Sequence, residues 1–433
     1  PMPWYHGWNV LAVAMLFQAV TFGIGIYSFT FWVAPWSTEF AVGRGEVMTV
    51  FITLQVVMGA LSPLAGRAVD RLSLRGLVIA GALCLAVGLM LAGRAGALWH
   101  LNLVYGTLIV AGMLLAGPLA GQTLAARWFA RRRGTALGVV TVGTSIGGFL
   151  LPPLVTWLHG SIGWRAANDW LALIVVLAIV PPVWLLVRNA PGAGLRAVEG
   201  GDASGRALSR GARGGHPSQE RALSRGARGG HPSQRDAQPA TSTATLDILG
   251  QRVFWLTVLS FTPLATAFGG AQQNLGPYAS DLGIDAQAAA YLVSVMALVM
   301  IGAKVFFGAM ADRWDLRALF LLIVVGLAIA FGIMLLELNY FALVLVCALL
   351  GFVAGGFLPL LGALVSQNFD IRAFGQVMGM IGPFTTLAAV GPWIAGYLRD
   401  TTGSYDLAWL SLAVLLVPSA AAIALLKPRP AVG

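Results

Sequence analysis

Twelve apolar runs of about 20 residues or more, nearly free of charge, follow one another along this chain. A run of that length, coiled at about 1.5 Å per residue, crosses the ~30 Å hydrocarbon layer of a bilayer. Inside lipid every backbone N–H and C=O must be satisfied within the protein, which leaves only helices and closed barrels. Barrel strands alternate in polarity over about ten residues, whereas these runs are continuous, so the reading is all-α. Charged residues make up only 10% of the chain, against about 25% in soluble domains. The sequence is that of a multi-pass membrane protein.

The predicted spans are 8–35, 46–66, 76–94, 98–127, 134–158 and 167–187, then 252–279, 287–308, 317–337, 340–366, 374–398 and 405–426. Between the sixth and seventh lies 188–250, rich in Gly, Ser, Arg and Pro, with too few apolar residues for a core. It is expected to be a disordered linker between an N-terminal bundle (1–187) and a C-terminal bundle (251–433). It also holds a tandem repeat: the fourteen residues Arg206 to Gln219 recur as Arg221 to Gln234. A basic lipid anchor is one reading of that repeat, and a recent duplication in an unconstrained linker the blander one. The first apolar run lacks a basic leader and a small-residue cleavage site, so it is read as a retained helix.

Charge sets the expected orientation. Of the 27 Lys and Arg, 22 fall on the side of the N-terminus, linker and C-terminal tail; four fall opposite (Arg44, Arg94, Arg165, Arg399). The positive-inside bias makes the linker side and both termini cytoplasmic, and the expected location is a bacterial inner membrane. The same bias explains the net charge of +10 without nucleic acid. Cys84 and Cys347 both lie in apolar runs and read as packing residues.

The two halves repeat each other. Gly66-Arg-Ala-Val-Asp70-Arg71-Leu-Ser-Leu-Arg75 closes span 2, and Gly308-Ala-Met-Ala-Asp312-Arg313-Trp-Asp-Leu-Arg317 closes span 8. Pro118 with Pro359, Gly121 with Gly362, Gly134 with Gly375 and Gly138 with Gly379 keep nearly the same offset. The fold class is therefore two pseudo-symmetric bundles of six helices, an architecture whose substrate site lies near mid-membrane between the repeats.

With this repeated motif the chain resembles the major facilitator superfamily over all but the linker. The resemblance implies twelve helices, rocker-switch alternating access and no cofactor. It also implies a conformational latch at Asp70, Arg71, Arg75, Asp312, Arg313 and Arg317, with Arg127 as the cation facing Asp70 and Asn368 as its weaker counterpart. Finer features look like the monocarboxylate transporter branch and its bacterial relatives: His6-Gly7-Trp8, Tyr27-Ser28-Phe29, Arg127-Trp128-Phe129, Arg132-Arg133-Gly134, Gly163-Trp164-Arg165 and Pro277-Tyr278. In that branch span 8 carries a cation where this chain has Lys304. Two departures stand out: Met300 replaces the Asp often found four residues earlier, and Thr30, Phe31 and Trp32 occupy the region where some members carry a span 1 Lys.

Lys304 is one of only two lysines and sits in an apolar run with no carboxylate near it along the segment. An ionisable group at membrane depth costs about 2.5–3.5 kcal/mol and by default marks a pathway. A lysine snorkelling to the interface is the alternative, since Gly308 is one turn away. The acidic residues lie in loops or at span ends, so the expected counter-ion is a substrate anion, a small carboxylate. Proton and carboxylate entering together, or anion exchange, would both keep the charge balanced. Gln18 and Tyr27 on span 1, Tyr105 on span 4, and Gln272, Gln273 and Asn274 on span 7 are the candidate orienting groups, with interhelical bonding as the competing role. The five His show no metal-ligand spacing, and there is no Walker loop or catalytic motif. The chain is read as a monomeric transporter rather than an enzyme, with no metal. Carriers of a drug or sugar, or a transport-inactive sensor, are the rival functions.

Overall fold

The computed structural model describes residues 6–129, 133–187, 248–311, 313–336, 338–369 and 374–426, without the side chains at 70, 71, 126, 133–135, 137, 374–376, 379 and 385. The linker over 188–247, and with it the tandem repeat, lies outside the described residues, as do Asp312 and the side chains of Asp70 and Arg71. Among the described residues every regular element is helical. Spans 2, 3, 7, 8, 9 and 10 are single helices: Arg44–Arg71, Leu74–Ala92, Arg252–Asp281, Ala286–Ala311, Leu316–Met334 and Tyr340–Asn368. Spans 5 and 6 run together as Arg133–Leu186 and turn at Gly163, whose φ of 76° an L side chain rarely adopts. The loop expected over 159–166 is therefore one residue of non-helical backbone.

The remaining spans are interrupted. Span 1 passes from Gly7–Phe22 into a π turn at Gly23–Tyr27, a 3₁₀ turn at Phe29–Phe31 and a short helix at Val33–Phe40. Span 4 carries a π turn at Tyr105–Ile109 and breaks before Pro118, which starts the helix Pro118–Trp128. Thr21 Oγ1 of span 1, which shares its one proton between the Phe17 carbonyl (2.8 Å) and the Ala116 carbonyl at that break (3.1 Å), partly satisfies a backbone group that would otherwise face apolar surroundings. The pseudo-equivalent Pro359 sits inside an unbroken helix. Gly117 accounts for the difference: a Cβ there would collide with the Met113 carbonyl, whereas the equivalent position in span 10 is Leu358. Span 11 is broken at Leu387–Ala389 and span 12 at Leu415.

Two apolar cores result. One gathers Val10 to Val187, joined by Ala389; the other gathers Ile248 to Leu426, joined by Tyr27 and Phe31. Ile248, near the end of the segment read as linker, is fully buried and packs with the second core. His6 Nε2 lies 3.0 Å from the Leu186 carbonyl, and Arg317 Nη1 donates to the Leu426 carbonyl (3.2 Å). Chain ends of both bundles thus share one face, here called the termini face; the turns at Gly43, Gly283 and Gly403 mark the far face.

The repeated decapeptide has a structural role at its eighth position. Ser73 caps span 3 by accepting from Gly76 N, and Asp315 caps span 9 by accepting from Arg317 N. The tenth-position arginines tie each turn to the last span of their own bundle. Arg75 stands 4.1 Å above the Trp184 ring, and Arg317 reaches Leu426 while also pairing with Asp315 (2.9 Å).

Candidate functional site: the seam between the bundles

The seam is tightest toward the far face. Arg44, at the start of span 2, grips Asp281 at the end of span 7 with two parallel bonds of 2.9 and 2.7 Å. This fork geometry makes a strong, directional charge-assisted pair. Arg399 Nε donates to Oδ2 of the same carboxylate (2.6 Å), sharing that oxygen with Arg44 Nη1, and Arg44 also donates to Tyr405 Oη and the Pro277 carbonyl. Asp400 accepts from Gly45 N at 2.7 Å. Deeper in, Thr30 Oγ1 accepts from Gly276 N (2.7 Å) and Gln273 Nε2 donates to the Ile26 carbonyl (3.2 Å), joining span 1 to span 7. Gln287 bonds to Thr156 and to the Pro153 carbonyl, and Ser294 to the Phe149 carbonyl, joining span 8 to span 5. A cavity of about 500 Å³ remains at this end, between Thr30, Glu39, Thr156, His159, Trp164 and Ile284.

Lys304 is the last of these crossings toward the termini face. Its Nζ donates to Ser145 Oγ (2.8 Å), to the Thr141 carbonyl (3.2 Å) and, more weakly, to Thr144 Oγ1 (3.4 Å). All three acceptors belong to span 5 of the opposite bundle, and all are neutral. Among the described residues no carboxylate pairs with it. The side chain therefore points across the seam, not along the lipid interface as a snorkelling lysine would. Tyr27 Oη meets Met300 Sδ at 3.4 Å, one helical turn from Lys304 on the same face of span 8.

The other candidates are placed elsewhere. Asn274 is fully buried and its amide is spent within the C-terminal bundle, donating to the Gly270 and Pro392 carbonyls and accepting from Tyr405 Oη. Gln18 donates to Ala14 and Val140 carbonyls, beside Gly121 in span 4. Tyr105 is packed edge-on against Phe29 and Trp36 inside the first core. Gln272 is nearly buried on span 7, while its neighbour Gln273 makes the crossing to span 1. Of the sequence candidates, only Lys304, Tyr27 and Gln273 bridge the bundles. Arg127 Nη2 donates to the Val69 carbonyl at the end of span 2 (2.8 Å), so this arginine ties span 4 to span 2 within one bundle. Asn368 bonds back to Leu364 in its own helix. The Arg313 backbone N–H donates to the Met310 carbonyl (3.0 Å), closing span 8 within its own bundle.

Sequence reading missed Thr141, Thr144 and Ser145, although three hydroxyls in five residues interrupt an apolar run. It also passed over Arg44 and Arg399, two of only four cations on the sparsely charged side.

The family model for the Major Facilitator Superfamily matches residues 13–385 and 273–433. The chain belongs to the major facilitator superfamily. Monocarboxylate transporter 11 of Mus musculus is 26% identical over 416 residues, covering 93% of this chain and 83% of that protein. Its Homo sapiens counterpart is 26% identical over 443 residues, covering 99% and 84%. Human monocarboxylate transporter 2 is 23% identical over 425 residues, with 95% and 84% covered. Among solved structures, a bacterial homologue of the human lysosomal transporter Spinster, inward-facing and occupied, superposes with a TM-score of 0.69 at 14% identity, covering 97% of this chain and 96% of the other. That likeness shows the fold. As a major facilitator protein the chain is an integral membrane transporter of a small solute, with twelve helices in the family's arrangement.

Proposed function

We propose that this protein is a secondary carrier for a small monocarboxylate and that the structure is its state open toward the cytoplasm. The single observation that carries the substrate class is Lys304, a seam ammonium answered, among the described residues, by neutral oxygens. A positive charge so placed favours an anion of matching size and single charge, attracted in a medium where Coulomb forces are little screened. The names of the relatives point the same way. The positive-inside bias makes the termini face cytoplasmic, and the ion-paired far face is then the closed outer gate. The Asp70 and Asp312 motifs would latch the opposite state.

Uptake of a labelled monocarboxylate such as lactate into liposomes tests the reading. Saturable uptake that falls at least about tenfold in Lys304→Ala and is largely kept in Lys304→Arg supports it. A Lys304→Ala protein with full uptake would sink it. With no carboxylate beside Lys304 among the described residues, coupling to protons rests on the substrate itself: acidification of the receiving side signals co-movement of a proton, and strict anion-for-anion exchange signals none.

A further inference from the structure

Lys304 in this state has no donor to spare. An ammonium carries three N–H bonds, and here they go to Ser145 Oγ, the Thr141 carbonyl and Thr144 Oγ1. Any anion that reaches Nζ must displace at least one span 5 oxygen. The three are not equivalent. The carbonyl only accepts, and it also receives Thr144 Oγ1 at 2.9 Å. A hydroxyl both accepts and donates, so it can hold an ammonium at one moment and turn its proton toward an anion at the next. Ser145 is fully buried at the seam, where no water competes for that role.

We propose that Ser145 and Thr144 are substrate-binding residues that complete a carboxylate cradle with Lys304. This rests on the monocarboxylate reading above and assigns the second half of its site to span 5. Without substrate the two hydroxyls accept from the ammonium and keep it solvated. With substrate they rotate and donate to the carboxylate, whose two oxygens offer about four acceptor positions, enough for the ammonium and both hydroxyls. The cradle is built from both bundles, so a bound carboxylate is held by span 5 and span 8 together. It also carries a single positive charge. A monoanion neutralises it, whereas a dianion would leave a buried net charge with no partner, which is costly. Charge selectivity follows from one lysine and two neutral hydroxyls. Replacing Ser145 by an acid should reverse that logic by giving Lys304 a permanent internal counter-ion.

The test is kinetic, with a chemical control. In proteoliposomes Ser145→Ala should raise KM for lactate about tenfold, and Thr144→Val about threefold, with kcat changed less than KM, as for lost hydrogen bonds to a charged ligand. Ser145→Thr should restore most of the affinity, and Ser145→Asp should abolish uptake in a protein that still folds. A merely structural serine would lower the amount or melting temperature of folded carrier without this split or this rescue. Lys304 can also be followed directly, because Lys427 is the only other lysine and serves as an internal reference. Acylation by an amine-reactive ester, read by mass spectrometry, should rise several-fold at Lys304 relative to Lys427 in Ser145→Ala, and lactate should protect Lys304 in the wild-type carrier. Uptake with an unchanged KM in Ser145→Ala overturns the cradle alone. Absence of any monocarboxylate uptake or protection in the wild-type protein overturns the cradle together with the reading beneath it.

Discussion

Spans 2 and 11 touch at the far face and part toward the termini. A Cβ on Gly45 would stand 3.0 Å from the backbone of Tyr397, one on Gly396 3.0 Å from Gly45 N, and one on Gly59 would collide with Thr386. On the same two helices, a Cβ on Gly66 or Gly382 would meet nothing within 4 Å. Spans 5 and 8 repeat the pattern. They are bonded from Gln287 down to Lys304, and beyond it Gly138 and Gly308 again have open space. The difference is between backbone-to-backbone packing held by ion pairs and a half where, among the described residues, the bonds of the span-end arginines stay within their own bundle. On the termini half the described bonds of Arg127, Arg75 and Arg317 all stay within one bundle. A seam pinned at one end is what the proposed rocking carrier needs, and the small residues on the far seam let it close without side chains in the way.

The far-face pin should be the most sensitive point. Asp281→Ala leaves Arg44 and Arg399 without their shared carboxylate. With side chains 19% to 26% exposed, losing these charged hydrogen bonds is expected to cost the closed far face about 2 kcal/mol. That is roughly a thirtyfold change in the balance of states. Spin labels on Arg67→Cys and Ser366→Cys, with Cys84 and Cys347 replaced, report the opening between bundles at the termini face. Asp281→Ala should shorten that distance distribution; an unchanged distribution would show that the pin does not hold the state. A smaller effect, about 1–2 kcal/mol from overpacking, is expected for Gly45→Val, whose methyls have Tyr397 backbone in their way. Gly66→Val is its internal contrast. It occupies open space on the same helix and should leave both the label distances and the melting temperature nearly unchanged.

The architecture was legible because apolar length is a one-dimensional property. Bilayer thickness fixes how many residues make a span, and the decapeptides at Gly66 and Gly308 fix the repeat. Polar pairing is different, since it depends on which helices meet and in which state. Arg44 and Asp281 are 237 positions apart, and nothing local marks them as partners. Asn274 shows the opposite error. A polar residue in an apolar span reads as a ligand contact, yet three groups of its own bundle consume its amide. Lys304 was conspicuous by charge, but its span 5 acceptors are ordinary hydroxyls and a carbonyl that only the packing brings to it. Span 4 also hid its break, because Pro118 alone does not distinguish it from span 10; Gly117 does.

The repeated turn gives the smallest and most local prediction, and it separates stability from conformational balance. Asp315 caps span 9, and its hydrogen bonds and charge pairing with Arg317 hold its carboxyl below the usual carboxylate range. A depressed acid stabilises the fold above its unfolded value near pH 3.9, and that contribution fades as pH falls through the lower folded value. Because the Asp315 side chain is 42% exposed, screening leaves the ion pair little, and the cap carries most of the contribution, about 0.5–1 kcal/mol. Asp315→Ala should therefore lower the melting temperature slightly at pH 7, and the gap to wild type should narrow as pH falls below about 4, where the charge pairing is lost and the neutral cap remains. Asp315→Asn keeps a capping oxygen without the charge and should recover part of the loss. Since these bonds lie within one bundle, none of these variants should move the Arg67→Cys to Ser366→Cys distance. A shift in that distance would mean the termini half is not free of the switch, and that the turn after span 8 takes part in it.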